Sequence, residues 1–191
     1  MATKRDGIVR HFARNYIIEQ LELNGYDLLV RRLRLQCTSS NCCDDEDAEE
    51  ILHKIAQQLS RDRGEHFEQL CVNLELRPDN VPAVYNRVVQ EMLAADVHWG
   101  SVVTLVSFTG VLVVHLAQHG LEEQVPHTLE QMDTIIHERV LPWITIRGGW
   151  SALWKYFDER VVKPSALVFG VGALVTLGIG GICGLKKIGI L

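Results

Sequence analysis

The sequence predicts an all-helical fold, a bundle around a central buried hydrophobic helix, followed by a C-terminal transmembrane helix. The first observation is the stretch 97–116, which is apolar on nearly every face, so other helices must surround it. The second is a series of flanking segments whose apolar residues recur at three- and four-residue steps, the period of amphipathic helices. The third is an apolar run at 166–185.

Length and charge bound the domain organisation. A chain of 191 residues holds one domain of ordinary size and an appendage. We expect a cytosolic helical bundle at 1–162, with a mobile loop at 36–47, and a membrane anchor at 163–191. Three of the 19 basic residues and no acid lie in the anchor, so the bundle carries 16 basic against 24 acidic residues. An acidic body disfavours nucleic acid as a partner.

The first half of the chain contains three predicted helices. The first runs from Asp6 to Leu23 and ends at the Asn24-Gly25 pair. The second, at 26–35, is strongly basic, and a polar, acidic segment follows it. Asp47 to Glu50 has capping-box spacing and predicts the start of a third helix that reaches 74, with a break near Gly64.

The second half contains the central helix and its neighbours. Prolines 78 and 82 precede a helix predicted at 83–95, and His119-Gly120 closes the central helix. The next helix has Pro126 near its start. Its apolar stripe comprises Leu129, Met132, Ile136 and Val140. A short aromatic helix at 150–157 completes the predicted bundle.

Two apolar stretches are candidates for crossing a membrane. The central one is interrupted by Thr104, Ser107 and Thr109 and falls short of the roughly 20 residues that a bilayer requires, so we interpret it as core. The run 166–185 has Thr176 as its only polar side chain and would span roughly 30 Å as a helix.

The position of that run predicts a tail anchor. Lysines flank it, and no N-terminal signal peptide is visible, so we expect insertion after translation with the body facing the cytosol. The outer mitochondrial membrane and the endoplasmic reticulum membrane are both compatible with the short basic end. Gly180 and Gly184 have the spacing of helix pairing in lipid, which leaves a homo- or hetero-dimer open.

Nothing in the sequence predicts catalysis, a cofactor or a metal site. The five cysteines form no Cys-x-x-Cys pair, and their odd number favours a reducing compartment. The adjacent Cys42-Cys43 pair is a poor chelator, and His115 and His119, four residues apart, have no evident third ligand. No phosphate-binding loop, nucleophile elbow or catalytic dyad is visible, so we expect a protein that is not an enzyme.

Two sequence blocks carry a family resemblance. His98-Trp99-Gly100 followed by Ser107-Phe108-Thr109-Gly110 resembles the first homology motif of the B-cell lymphoma (Bcl) family of apoptosis regulators. Pro142-Trp143-Ile144 followed by Gly148-Gly149-Trp150 resembles the second motif. The segment 21–26 is similar to the fourth motif. The third motif should lie within 51–70, but it is degenerate, because either frame misplaces a usual Leu or Asp.

The resemblance implies a Bcl-type bundle with a hydrophobic groove that receives an amphipathic helix from another family member. The residues that it places in this groove are Phe67, Leu70, Tyr85, Val88, Met92, His98, Gly100, Ser101, Val103, Phe108 and Phe157. Ordinary cores are built from the same residue types, so both interpretations stay open. The Trp residues of the two motifs and Gly110 are interpreted as structural, with Gly110 permitting a tight helix crossing.

One position departs from the family pattern. The family usually has an Arg after Trp-Gly, which bonds to an Asp of the ligand helix, and Ser101 stands there in this chain. A buried carboxylate without a partner costs several kcal/mol, so another group must meet it. Our hypothesis is that His98 or Arg87 takes this role. With His98, binding would strengthen on mild acidification.

The resemblance therefore predicts an anti-apoptotic regulator. It would bind the death-motif helix of pro-apoptotic Bcl-family proteins and so restrain permeabilisation of the outer mitochondrial membrane. The alternative is a pro-apoptotic, pore-forming executioner of the same fold. A tail-anchored adaptor unrelated to apoptosis is a third possibility.

Overall fold

The computed structural model describes residues 8–36, 46–94, 97–147 and 149, and the described part contains no β-strand. Its helices are α1 (Ile8–Leu23), α2 (Asp27–Gln36), α3 (Glu46–Asn73), α4 (Val81–Met92), α5 (Trp99–Gln118), α6 (Gln124–Ile135) and α7 (Leu141–Ile146), with a π-helical turn at Ile136–Val140 between the last two. This arrangement confirms the predicted all-helical bundle.

Helix α5 is the centre of the bundle, as predicted. Helices α1, α3 and α6 pack extensively against it, and 16 of its 20 residues are buried. In the described part of the chain it is the one helix whose length and composition would suit a membrane span, but the bundle encloses it. Two of its buried hydroxyls bond within the helix, since Thr104 donates to the Gly100 carbonyl at 2.8 Å and Thr109 to that of Leu105 at 2.7 Å. The buried Ser107 hydroxyl instead donates to the Ala56 carbonyl of α3 at 3.5 Å.

Helix α1 crosses α5 at close range. A Cβ on Gly110 would lie 3.2 Å from Tyr16 Cε1 and 3.3 Å from Gln20 Cγ, so both neighbouring side chains would have to shift. Glycine at this position therefore permits the crossing, which confirms its predicted structural role. Arg14 further ties α1 to α6, because its Nε lies 2.9 Å from Asp133 Oδ2.

Helices α3 and α4 differ from their predicted bounds. Helix α3 continues through Gly64 without the predicted break, since the buried side chains of Leu59 and Phe67 hold the helix on the core on either side of it. Helix α4 begins at Val81 and ends at Met92, so Pro82 lies in its first turn, where a missing amide hydrogen costs nothing. At the edges of the segment predicted as a loop, Gln36 belongs to α2 and Glu46 to α3.

The π-helical turn at Ile136–Val140 was not predicted from the sequence. Pro142 follows it by two residues and has no amide hydrogen to give to the preceding turn, so a local widening of the helix accommodates the ring. The predicted apolar stripe is nevertheless correct, because all four of its residues are buried. The Cys42-Cys43 loop pair, the aromatic helix at 150–157 and the anchor at 163–191 lie outside the described residues.

Candidate functional site

An aromatic cluster joins three helices at the face predicted to bind a partner. Phe108 of α5 lies at its centre, with Phe67 of α3 edge-on at a ring-centroid distance of 5.9 Å and Tyr85 of α4 stacked at 6.5 Å. All three rings are at most 1% exposed. Thr109 already donates its proton to a backbone carbonyl, so the Tyr85 hydroxyl donates to Thr109 Oγ1 at 2.9 Å.

The other apolar residues predicted for the groove surround this cluster. Leu70, Val88, Met92 and Val103 are at most 8% exposed, and Gly100 is buried in the first turn of α5. Helices α3 and α4 each pack on α5 but make few contacts with each other. In this structure the predicted residues therefore belong to the core beneath α3 and α4, and their contact with a ligand helix stays a prediction. Phe157 lies outside the described residues.

His98 and Ser101 form a reciprocal cap on the N-terminus of α5. The Ser101 amide donates to His98 Nδ1 at 3.1 Å, and the His98 amide donates to Ser101 Oγ at 2.9 Å. The Ser101 hydroxyl in turn donates to the His98 carbonyl at 2.8 Å. Because Nδ1 accepts a hydrogen bond here, a proton added to that nitrogen would break the cap. The residue in place of the usual Arg thus has a structural function that sequence reasoning missed.

Arg87, the second candidate to meet a ligand carboxylate, lies half-buried on α4. Its neighbours on the helix, Asn86 and Gln90, line a cleft of about 580 Å³ between α4 and α6. Arg87 does not line that cleft, and neither does any other residue predicted for the groove. It forms no ion pair with a described residue. Its guanidinium therefore remains available to an acidic partner.

The two motifs pack against each other, as predicted. The indole rings of Trp99 and Trp143 meet edge to face at a centroid distance of 5.2 Å. Trp99 is 3% exposed, which confirms its role in the core. Gly149 of the second motif has φ of 72°, a left-handed conformation that follows the end of α7 and favours glycine. Trp150 lies outside the described residues.

Burial shifts the pKa values of two further groups in the described part of the bundle. Burial raises the pKa of the Cys71 thiol to about 12, so this thiol stays protonated at neutral pH. The rings of His115 and His119 stack at a centroid distance of 4.0 Å. The pKa of His115 is lowered, mainly by burial and further by the neighbouring His119. Within the described ranges no group of three His, Cys, Asp or Glu residues is placed to hold a metal ion.

Comparisons with known proteins agree with this all-helical fold and with these two motifs. The model of apoptosis regulator proteins of the Bcl-2 family matches residues 52–150, and the chain therefore belongs to the Bcl-2 family. Members of this family are regulators without enzymatic activity.

Individual relatives carry names of both functional types. Human Bcl-2-like protein 1 is 27% identical over 128 residues, which cover 62% of this chain and 55% of the relative. Human Bcl-2 homologous antagonist/killer is 27% identical over 99 residues, which cover 51% of this chain and 47% of that relative. Chicken anti-apoptotic protein NR13 is 26% identical over 136 residues, which cover 69% of this chain and 77% of that relative. The chain thus spans about half the length of the human relatives it matches.

Two solved structures share the fold. Trichoplax adhaerens trBcl-2L2, bound to trBak BH3, superposes with a TM-score of 0.64 at 19% identity, covering 81% of this chain and 99% of that one. Chicken BOK superposes with a TM-score of 0.61 at 18% identity, covering 81% and 98%. At these identities the likeness establishes the fold.

Proposed function

We propose that this Bcl-2 family chain restrains apoptosis by binding the BH3 helix, the third homology motif, of a pro-apoptotic relative between α3 and α4. The observation that carries this proposal is that both helices rest on α5 through the Phe67–Phe108–Tyr85 cluster. If α3 and α4 separate, the cluster becomes the apolar floor of a groove. Apolar anchors of an amphipathic helix would then fill the space between the two walls.

Two comparisons support this proposal. The Trichoplax protein with the same fold is bound to a BH3 segment. Relatives named anti-apoptotic or Bcl-2-like match the larger part of this chain. We propose further that the run 166–185 anchors the protein in the outer mitochondrial membrane or the endoplasmic reticulum, on the basis of its length, composition and flanking lysines.

Arg87 is our preferred partner for the ligand's Asp. It is half-buried, carries a permanent charge and lies on a wall of the proposed groove. Protonation of His98 at Nδ1 would remove the hydrogen bond that caps α5. His98 could therefore raise the affinity at acidic pH only if the gain from its positive charge exceeded the loss of this bond. An affinity that stays flat between pH 5.5 and 7.5 would therefore remove His98 and leave Arg87.

The test is a titration of the full chain with a panel of BH3 peptides. We expect submicromolar binding, and we expect Arg87→Ala to weaken it by roughly 10-fold or more, because a charge-assisted bond contributes about 1.5–3 kcal/mol. Arg77→Ala is the control, since it removes an equal charge from an exposed side chain in the connection between α3 and α4. Absence of binding by every peptide would refute the proposed function.

The executioner alternative draws on the relative named Bcl-2 homologous antagonist/killer. A dye-release assay with the full chain in liposomes of outer-mitochondrial composition separates the two functions. A survival protein should protect the liposomes from leakage caused by an executioner. Leakage triggered by the BH3 peptides alone would instead identify this chain as an executioner.

A further inference from the structure

Helix α2 is a peripheral element with two dissimilar faces. Its inward face buries Leu29, Val30 and Leu33, each at most 3% exposed. Helix α1 is the element against which it packs most. These three side chains pack α2 against the core, and the residues on its opposite face do not take part in this packing.

The outward face combines large apolar side chains with arginines. Leu28 and Leu35 are 81% and 88% exposed, and Arg31 and Arg32 lie exposed between them. The positions follow i, i+3, i+4 and i+7 spacing, so all four side chains project from one side of the helix over about 10 Å. Leu23, 72% exposed at the end of α1, precedes this face.

The charge of this face contrasts with the rest of the bundle. The sequence 1–162 carries eight more acidic than basic residues, given 24 acids and 16 bases. Arg34 is neutralised by Glu22, whose Oε1 lies 2.7 Å from its Nη2. By contrast, Arg31 and Arg32 form no ion pair with any described residue. A cationic, apolar face on an acidic body is complementary to an anionic, apolar surface.

We propose that the face formed by Leu28, Arg31, Arg32 and Leu35 binds the surface of an anionic phospholipid bilayer. The guanidinium groups would lie at the lipid phosphates, and the two leucines would enter the boundary between headgroups and acyl chains. A single convex helix offers no pocket for a partner's side chains, whereas a deformable lipid surface adapts to it. This favours a bilayer over an acidic protein helix.

This inference is independent of the BH3-binding proposal. The four residues lie on α2, whereas the proposed groove is built by α3, α4 and α5. A chain that binds no BH3 peptide could still bind anionic lipid through α2, and the reverse also holds. The two proposals are therefore tested separately.

The experiment compares partitioning of the full chain onto vesicles of phosphatidylcholine alone and onto vesicles that also contain phosphatidylserine. The predicted tail anchor would contribute to both, so the ratio of the two partition coefficients isolates the charge-dependent contact. We expect this ratio to fall by about 5-fold for each arginine removed in Arg31→Gln/Arg32→Gln. Arg61→Gln/Arg77→Gln is the matched control, which removes equal charge from exposed sites elsewhere and should leave the ratio close to the parent value.

The apolar part of the contact has its own control pair. Leu28→Ser/Leu35→Ser should lower partitioning onto the anionic vesicles, whereas Val72→Ser/Ile146→Ser, at 64% and 83% exposed positions, should not. A tryptophan introduced at Leu35 should be quenched by brominated phosphatidylserine, while one introduced at Ile146 should be quenched less. Circular dichroism establishes that each variant retains the helical fold.

A conservative variant tests whether the contact depends on charge alone. Arg31→Lys/Arg32→Lys should keep most of the ratio between the partition coefficients on anionic and neutral vesicles. A lipid surface responds to charge and does not require the planar guanidinium of arginine. Loss of the preference for anionic vesicles in this variant would overturn the proposal, because a lipid surface that responds to charge would not distinguish lysine from arginine. An unchanged ratio in Arg31→Gln/Arg32→Gln would overturn it directly.

Discussion

The two sides of α3 are held by different kinds of contact. Toward α1, a row of polar side chains joins the helices, with Asn15 donating to Glu49 at 2.9 Å, the Tyr16 hydroxyl 2.6 Å from Ser60 Oγ, and His53 3.2 Å from Glu19. Toward α4, the connection runs through aromatic rings packed on α5.

This difference indicates which side can open. Hydrogen bonds and ion pairs are directional, so separating α1 from α3 would leave half-buried polar groups without partners. Aromatic and aliphatic contacts are non-directional, and the apolar side chains of another helix can replace them. The fold therefore places polar contacts on the side of α3 that faces α1. On the side toward α4, where the groove is proposed, it places apolar contacts that another helix can replace.

The largest effect should come from removing the ring at the centre of the aromatic cluster. Phe108→Ala should destabilise the protein by about 3–5 kcal/mol, because a buried ring is removed and a cavity remains between α3 and α4. Urea unfolding followed by circular dichroism measures this. Phe108→Leu, which retains most of the volume, should cost much less. Equal costs for the two variants would show that the cluster does not depend on filling this space.

Breaking the α1–α6 ion pair should produce the next largest effect. Arg14 and Asp133 are largely sheltered from solvent, so either Arg14→Gln or Asp133→Asn should cost about 1–3 kcal/mol. The double variant should cost less than the sum of the two, because either single change already breaks the Arg14–Asp133 pair. In Arg14→Gln, Arg10 Nε remains 3.9 Å from Asp133 Oδ1. Additive costs in this cycle would mean that the two side chains stabilise the bundle independently.

Removing one hydroxyl tests the polar side of α3 at smaller scale. Burial raises the pKa of Tyr16, so its hydroxyl stays protonated and bound to Ser60 at neutral pH. Tyr16→Phe should cost about 1 kcal/mol, the usual contribution of one hydrogen bond. Tyr26→Phe, on a less buried tyrosine, serves as the control. If the polar row holds α1 in place, hydrogen exchange in α1 should accelerate in Tyr16→Phe and stay unchanged in the control.

The smallest effect concerns pH at the far end of α5. Burial and His119 lower the pKa of His115, so the unfolded chain binds this proton more readily than the folded one. The folded state should consequently lose stability as the pH falls from about 6.5 through that lowered pKa. His115→Gln should lose less stability than the parent over the same range. An identical slope in the two proteins would exclude His115 as the cause.

The homology motifs and the central helix could be predicted from the sequence because each depends on local patterns. An all-round apolar stretch must be buried, and Gly110 and Trp99 have the structural roles that their types and positions suggested. The π-helical turn before Pro142 was missed, because the helical period before it is unbroken and a proline near a helix start usually needs no widening. The continuation of α3 through Gly64 was missed because glycine propensity is overridden by packing.

Within the candidate site, the sequence by itself determined the residue types, and the tertiary structure decided their partners. Leu, Val and Phe at helical spacing specify a buried face, but they do not tell whether that face is core or groove, since both exclude water in the same way. The ion pair between Arg14 and Asp133 spans 119 positions and leaves no local signal. Likewise, only the folded cap showed that His98 and Ser101 bind each other, because side-chain hydrogen bonds depend on distances and angles that the order of residues does not contain.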